Sequence, residues 1–280
     1  MTSARKDRVG IVGAGRMGLA MLRHLVNKGY AVTVCDISEK QREAAGAALA
    51  DTPAAVGEAS DIVILGVGYD DEVNDVVFGK AGLIETMAPG SIIAVSSTAK
   101  PETMKALAAR VAERGIEVLD APICRGRFAA DAGTLLALVG GKPEVVARAR
   151  PVYATFASDI VHLGEIGNGQ VGKALNNLML WFNAVGVLEA GRLAEWAGVD
   201  MVKLREALLT SSAASDSLKE WDRVSFTWAL KDMQIVSDLT DKAGLSLPIT
   251  GALKEVVKEA RRIKAANPPN WTGNKPVKYG

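Results

Sequence analysis

Val9-Gly10-Ile11-Val12-Gly13-Ala14-Gly15-Arg16-Met17-Gly18 is the stretch that decides the fold of this chain. Val9–Val12 is a short β-branched apolar run, the pattern of a buried strand. It leads directly into G-x-G-x-x-G, after which Arg16–Lys28 carries apolar residues at helical spacing until Gly29 stops it. A strand, a glycine turn and a helix form the context in which this motif holds a dinucleotide. The first glycine permits the tight turn, the second lets the backbone approach a pyrophosphate, and the third lets helix and strand pack closely. The helix N-terminus offers N–H groups and partial positive charge to the phosphates. Gly13, Ala14, Gly15, Arg16, Met17 and Gly18 are therefore the expected cofactor contacts. Asp36 ends the next strand, Ala31–Cys35, where a carboxylate accepts from the adenosine ribose hydroxyls and repels a 2′-phosphate. No arginine follows at 37 or 38, which favours NAD over NADP. The same position also suits an aspartate that caps its own β–α turn.

Outward from this motif, Ser38 can cap a helix Glu39–Ala50, and Pro101 opens another that runs to Arg114. Strands are expected at Ile62–Leu65, Ser91–Val95, Ile116–Leu119 and Leu135–Val139. Strands alternating with helices predict a parallel sheet wound on both faces. The texture changes near Gly164. From Gln170 to Trp196 the chain has no proline and is rich in Leu, Ala, Asn and Trp, which predicts a helix of about 40 Å at about 1.5 Å per residue. Helical patterns continue at Val202–Leu209, Trp228–Ala243 and Leu253–Ala265, and the polar tail from Asn267 is expected to be loose. The expected architecture is α/β: an N-terminal Rossmann domain over 1–164, a doubly wound parallel sheet, followed by an all-helical domain over 165–280 reached through the long helix. That helix carries Leu178, Leu180, Trp181, Phe182, Val185, Val187 and Leu188 and is apolar nearly all round, so a partner subunit is expected to cover part of it, in a homodimer or homotetramer.

The composition of the 280 residues, 49% hydrophobic and 23% charged, is that of a soluble globular protein. A net charge of +1 argues against nucleic acid or a membrane surface as partner. No run approaches the roughly 18 apolar residues of a membrane span, and the polar, basic start lacks the apolar core of a signal peptide. Cys35 and Cys124 give no disulfide framework, so a reducing, cytoplasmic setting is expected. His24 and His162 join no cluster, and no metal site is expected. Asp70-Asp71-Glu72 reads as a solvated helix start favoured by the helix dipole.

Three further segments share one resemblance with the glycine loop. They are Asp120-Ala121-Pro122-Ile123-Cys124-Arg125-Gly126, Gly167-Asn168-Gly169-Gln170-Val171-Gly172-Lys173-Ala174-Leu175-Asn176-Asn177, and Lys231-Asp232. In this order the chain resembles the β-hydroxyacid dehydrogenase family from about residue 9 to about residue 250. The resemblance implies a nicotinamide cofactor, a small anionic hydroxy-acid or semialdehyde substrate, and catalysis by Lys173 with Asn177. It also implies cofactor contacts at Val67, Thr98 and Lys231, with Thr98 on the nicotinamide side, and substrate contacts at Cys124, Arg125, Gly126 and Asn177. The sequence departs from the family pattern twice. Gly66-Val67-Gly68 stands where the family has Met-Leu-Pro, and Cys124-Arg125-Gly126 replaces its Ser-Gly-Gly.

The lysine also makes chemical sense without the resemblance. Positions i and i+4 share a helix face, so Lys173 and Asn177 can address one substrate. Oxidising an alcohol requires removal of the hydroxyl proton, which a lysine of depressed pKa can perform and reverse. An arginine in the substrate loop offers a bidentate fork for an oxyanion where the family's serine is missing. Two other functions fit the same architecture: an imine reductase, which usually lacks the lysine, and a non-catalytic dinucleotide-binding module.

Overall fold

The computed structural model of the protein describes residues 6–274. The chain divides into two compact units, Met1–Lys173 and Ala174–Gly280. In the first, strands and helices follow in the order β1 (Val9–Val12), α1 (Arg16–Asn27), β2 (Val32–Cys35), α2 (Glu39–Ala45), β3 (Ala48–Leu49), α3 (Pro53–Ala59), β4 (Ile62–Leu65), α4 (Asp70–Phe78), β5 (Ile92–Val95), α5 (Pro101–Ala112) and β6 (Glu117–Asp120). They continue with β7 (Ile123–Cys124), α6 (Gly126–Ala132), β8 (Leu135–Gly140), α7 (Pro143–Tyr153) and β9 (Ala157–Gly164), and α8 (Asn168–Trp196) then runs on into the second unit.

One sheet runs in the order β3-β2-β1-β4-β5-β6-β8-β7, with β9 on β8. The first six strands are parallel. This is the doubly wound Rossmann sheet, and its strands are apolar on both faces, as a sheet covered on both sides requires. Their side chains alternate. Ile11, Ile62, Ile64 and Ile92 enter one core with α1 and α7, while Val12, Val63, Leu65 and Ile93 enter a second with α4 and α5. The expected parallel sheet holds over these six strands, and beyond them β8 turns antiparallel to β6 and β7 while β9 pairs with β8 in parallel. The expected helix Glu39–Ala50 is corrected. It ends at Gly46, which adopts the left-handed conformation of a helix C-terminus (φ 59°), and Ala48–Leu49 pairs with β2 instead.

The second unit is helical: the rest of α8, then α9 (Met201–Leu209), α10 (Asp216–Lys219), α11 (Ala229–Ala243) and α12 (Pro248–Ala266). Trp181, Leu188, Trp221, Phe226, Met233, Val257 and Trp271 form its core. The tail expected to be loose is pinned through residue 274. Trp271 is 1% exposed, its indole donates to the Val187 carbonyl, and Pro269 accepts from the Trp221 indole. Trp271 and Pro269 fit against α8 because position 191 is glycine, whose missing Cβ would stand 2.5 Å from Pro269 Cβ. No helix among the described residues is long and apolar enough to cross a membrane.

Lys264 of α12 lies over the Trp221 ring and donates to the Trp221 carbonyl at 2.6 Å. Burial lowers its pKa to about 8, with Asp222 pulling the other way. The unfolded chain keeps that proton up to about 10.5, so between these values the unfolded state binds more protons and stability rises with pH. The melting temperature of the wild-type protein relative to that of Lys264→Met should therefore rise from pH 8 to pH 10. Equal slopes would remove Lys264 as the cause.

Candidate active site

The nucleotide turn is built on contacts that only glycine allows. Gly13 has φ 93°, and a Cβ there would meet the Gly66 carbonyl at 2.6 Å. A Cβ on Gly18 would lie 2.2 Å from the Gly13 carbonyl oxygen, so this glycine lets α1 close onto the loop. Gly15 is different, because nothing lies within 4 Å of its missing Cβ. It stands as N-cap of α1, and no side chain caps that helix. The N–H groups of the first turn thus open onto a cradle that a Cβ would fill, which fits the pyrophosphate of a dinucleotide. Asp36 is tied to this turn: Oδ2 accepts from Ala14 N at 2.6 Å and Oδ1 from Ser38 N at 2.7 Å. The carboxylate braces the loop and its own β–α turn, and it retains lone pairs for further donors.

Two of the candidate residues meet in the first unit. Lys173, half-buried on α8, donates from Nζ to the Ile123 carbonyl at 2.8 Å and towards Cys124 Sγ at 3.7 Å. The lysine therefore stands against the substrate loop. The Arg125 guanidinium points elsewhere, to Asp159 Oδ2 at 2.6 Å, Ser158 Oγ at 2.9 Å and the Thr134 carbonyl at 3.1 Å. Its hydrogen bond holds the Asp159 carboxyl below its ordinary range. Arg125 also takes φ 79°, a left-handed backbone that costs a side-chain-bearing residue roughly 1–2 kcal/mol. This explains why glycine suits the position. Gly126 follows as the first residue of α6.

Two residues not singled out as site residues set the lysine's helix. Asp120, fully buried at the end of β6, accepts from Gly167 N and Gln170 N at 2.7 Å each. It caps the start of α8. Burial pushes its carboxyl up, and the N–H groups of Gly167, Gln170 and Gly169 pull the other way. Gln170, also fully buried, accepts from Ala99 N at 3.0 Å and donates to the Ser97 carbonyl at 2.8 Å. Both residues lie inside the motifs that carry the resemblance, but their partners are far away in sequence.

The remaining candidates are spread over both units. Val67 is half-buried beside β4, and Glu72 accepts from the next backbone N–H, that of Gly68. Asp70, read as solvated, accepts from Lys100 N and Thr103 Oγ1 and joins α4 to α5. Thr98 is half-buried in the turn after β5, between the two residues that Gln170 holds. In the second unit Asn177 is buried and accepts from Asn176 Nδ2, and Lys231 on α11 lies 5.9 Å from the Trp228 ring centroid. Asp232 accepts from the Trp181 indole. His24 faces the carbonyls of Ala130 and Asp131, and His162 those of Gly141 and Gly164. Among the described residues no group of three or more His, Cys, Asp or Glu side chains is gathered to hold a metal ion.

A glycine cradle at the switch of a doubly wound sheet, followed by a helical unit, defines a two-part protein of the dinucleotide-binding class. Residues 8–164 match the family described as the NAD binding domain of 6-phosphogluconate dehydrogenase. Residues 167–268 match that described as NAD-binding of NADP-dependent 3-hydroxyisobutyrate dehydrogenase. A probable mitochondrial 3-hydroxyisobutyrate dehydrogenase of Dictyostelium discoideum is 33% identical over 216 residues, 76% of this chain and 67% of the relative. The 2-hydroxy-3-oxopropionate reductase of Escherichia coli is 32% identical over 261 residues, 89% of each chain. The structure of Mycobacterium tuberculosis 3-hydroxyisobutyrate dehydrogenase with L-serine shares the fold, with a TM-score of 0.81 at 24% identity over 91% of this chain and 94% of that one. The chain belongs to the β-hydroxyacid dehydrogenase family of oxidoreductases, whose cofactor is a nicotinamide dinucleotide.

Proposed function

We propose that this protein interconverts a small 3-hydroxy acid and its semialdehyde, using NAD in preference to NADP, with Lys173 as the acid–base group. The observation that carries this is the meeting of Lys173 Nζ with the substrate loop at Ile123 and Cys124, in the unit that also holds the glycine cradle. When bound, the nicotinamide supplies the hydride acceptor or donor. Lys173 takes the hydroxyl proton in oxidation and returns one to the carbonyl oxygen in reduction. An ammonium has three donors, and Ile123 and Cys124 engage two, which leaves one for the substrate oxygen. Asn177, one turn further along the helix, holds the same oxygen or the substrate carboxylate. Cys124, Arg125 and Gly126 form the substrate loop. Arg125 serves it by holding it in place, because a substrate anion would have to displace Asp159 to reach the guanidinium. Gly13 to Gly18, Val67, Thr98 and Lys231 bind the cofactor. A panel of 3-hydroxy acids and their semialdehydes, assayed with each dinucleotide, tests the reading. Tight dinucleotide binding with no turnover on any of them would leave a binding module instead.

Asp36 supports the cofactor preference, since a carboxylate braced by Ala14 N and Ser38 N cannot swing away from a 2′-phosphate without releasing the loop. The expected result is a kcat/KM at least about tenfold higher with NAD, matching about 1.4 kcal/mol of repulsion. Equal use of NADP would overturn it.

A homo-oligomer is the second part of the proposal. The residues that made α8 look apolar all round are taken up by its own unit: Trp181, Val185 and Leu188 are buried in the core, with Leu178, Leu180, Phe182 and Val187 packed against it. A separate stripe stays exposed: Leu175, Met179 at 67%, Leu193 and Trp196 at 84%. Gly186, with open space at its Cβ, interrupts this stripe. Spacings of four and seven place Leu175, Met179, Gly186 and Leu193 on one face. A second copy of the helix is the proposed cover, in a homodimer or a tetramer built from it. The protein should sediment above monomer mass at micromolar concentration, and Met179→Glu with Leu193→Glu should shift it to monomer. A wild-type monomer would contradict this.

A further inference from the structure

Gln170 is fully buried, yet the acid–base role gives it nothing to do. Its side-chain amide makes a two-point contact with the turn after β5, where Oε1 accepts from Ala99 N and Nε2 donates to the Ser97 carbonyl. Rotating the amide by half a turn would set donor against donor and acceptor against acceptor, so the pair fixes one orientation. Ala99 and Ser97 flank Thr98 and are themselves buried, so both hydrogen bonds form away from water. Gln170 N is in turn held by Asp120, which anchors the helix start to the end of β6. Three residues along the same helix, and therefore on the same face, stands Lys173.

We propose that Gln170 is a positioning residue that fixes the distance between Lys173 and the turn around Thr98, the turn assigned to the nicotinamide. A single side chain then sets the acid–base group against the place where hydride leaves or arrives. Asp120 supplies the fixed end of the same connection. This inference rests on Lys173 being the acid–base group. Misplacing a catalytic group by about 1 Å can cost about 10²-fold in rate without weakening binding.

The test is a cycle of three variants: Gln170→Met, Lys173→Ala and the double variant. Each is measured for kcat, KM, dinucleotide affinity in the absence of substrate, and melting temperature. Methionine keeps the length but leaves the Ala99 N–H and the Ser97 carbonyl without partners. Gln170→Met is expected to lower kcat at least about thirtyfold, with dinucleotide affinity changed less than about threefold. In the Lys173→Ala background the same substitution should leave the residual rate unchanged, because there is no amine left to misplace. A merely structural role would lower the melting temperature equally in both backgrounds and lower the residual rate too.

Gln170→Glu serves where the methionine variant does not fold. Its carboxylate accepts from Ala99 N but faces the Ser97 carbonyl with a second acceptor, and protonation restores the donor. Its deficit relative to wild type should therefore narrow as pH falls. If Lys173→Ala abolishes turnover and Gln170→Met keeps kcat within about threefold, the inference fails while the acid–base role stands. If Gln170→Met lowers the residual rate of Lys173→Ala by the same factor as in wild type, Gln170 does not act through the lysine. If Lys173→Ala itself retains full turnover, the acid–base role falls and takes this inference with it.

Discussion

Lys173→Ala is expected to lower kcat by about 10²–10⁴-fold, the usual worth of a general acid–base group, while the dinucleotide dissociation constant stays within a few-fold. The asymmetry follows from where the lysine stands. Nζ faces the substrate loop at Ile123 and Cys124, whereas the phosphate cradle belongs to the turn before α1. The start of α8 is held by Asp120 and Gln170, neither of which needs the amine, so the helix keeps its place in the variant. Steady-state rates together with dinucleotide titration in the absence of substrate check this. A kcat within a few-fold of wild type would remove Lys173 from the chemistry.

Gly18→Ala and Gly15→Ala are expected to part company. At Gly18 the new methyl would press on the Gly13 carbonyl, which is backbone and cannot rotate away. The loop must open, and overpacking of this kind typically costs about 1–3 kcal/mol. Dinucleotide affinity should fall with stability, by at least about tenfold. At Gly15 the same methyl meets open space in the protein, at a φ of −61° that alanine adopts freely. Melting temperature should hold, yet dinucleotide affinity should again fall by at least about tenfold, because the methyl occupies the path of the pyrophosphate. Thermal melts with and without NAD separate the two. A Gly15→Ala protein that binds as wild type would move the cofactor away from this turn.

The parallel half of the sheet was legible because its strands are short runs of Val and Ile punctuated by glycine, and because the glycine motif fixes what precedes and follows it. Of the edge beyond it only β8 was. Ile123–Cys124 is two residues long, and β9 has Ser158 and Asp159, both exposed, near its start and buries little further along, so it carries no apolar run to mark a strand until β8 is there to pair with. Helix α2 was overextended because Gly46 sits among alanines, and its left-handed conformation carries no other local signal. At the site, the lysine and the loop it meets were legible as motifs. The roles of Asp120 and Gln170 were not, since their hydrogen bonds close over sequence separations of 50 and 71 residues. Arg125 was read as a ligand for a substrate anion from its place in the substrate loop and the fork its guanidinium offers. Asp159, which the fold brings to it across 34 residues, gives the guanidinium another partner.

The most direct measurement of the central claim is a turnover experiment with a 3-hydroxy acid carrying two deuterium atoms on the carbinol carbon, with the reduced dinucleotide analysed by mass. The wild-type protein is expected to deliver one deuteride to the dinucleotide per molecule oxidised, and Lys173→Ala to slow this delivery by at least about 10²-fold while still binding NAD. Reduced dinucleotide without deuterium, or deuterium delivered equally fast by the alanine variant, would contradict it.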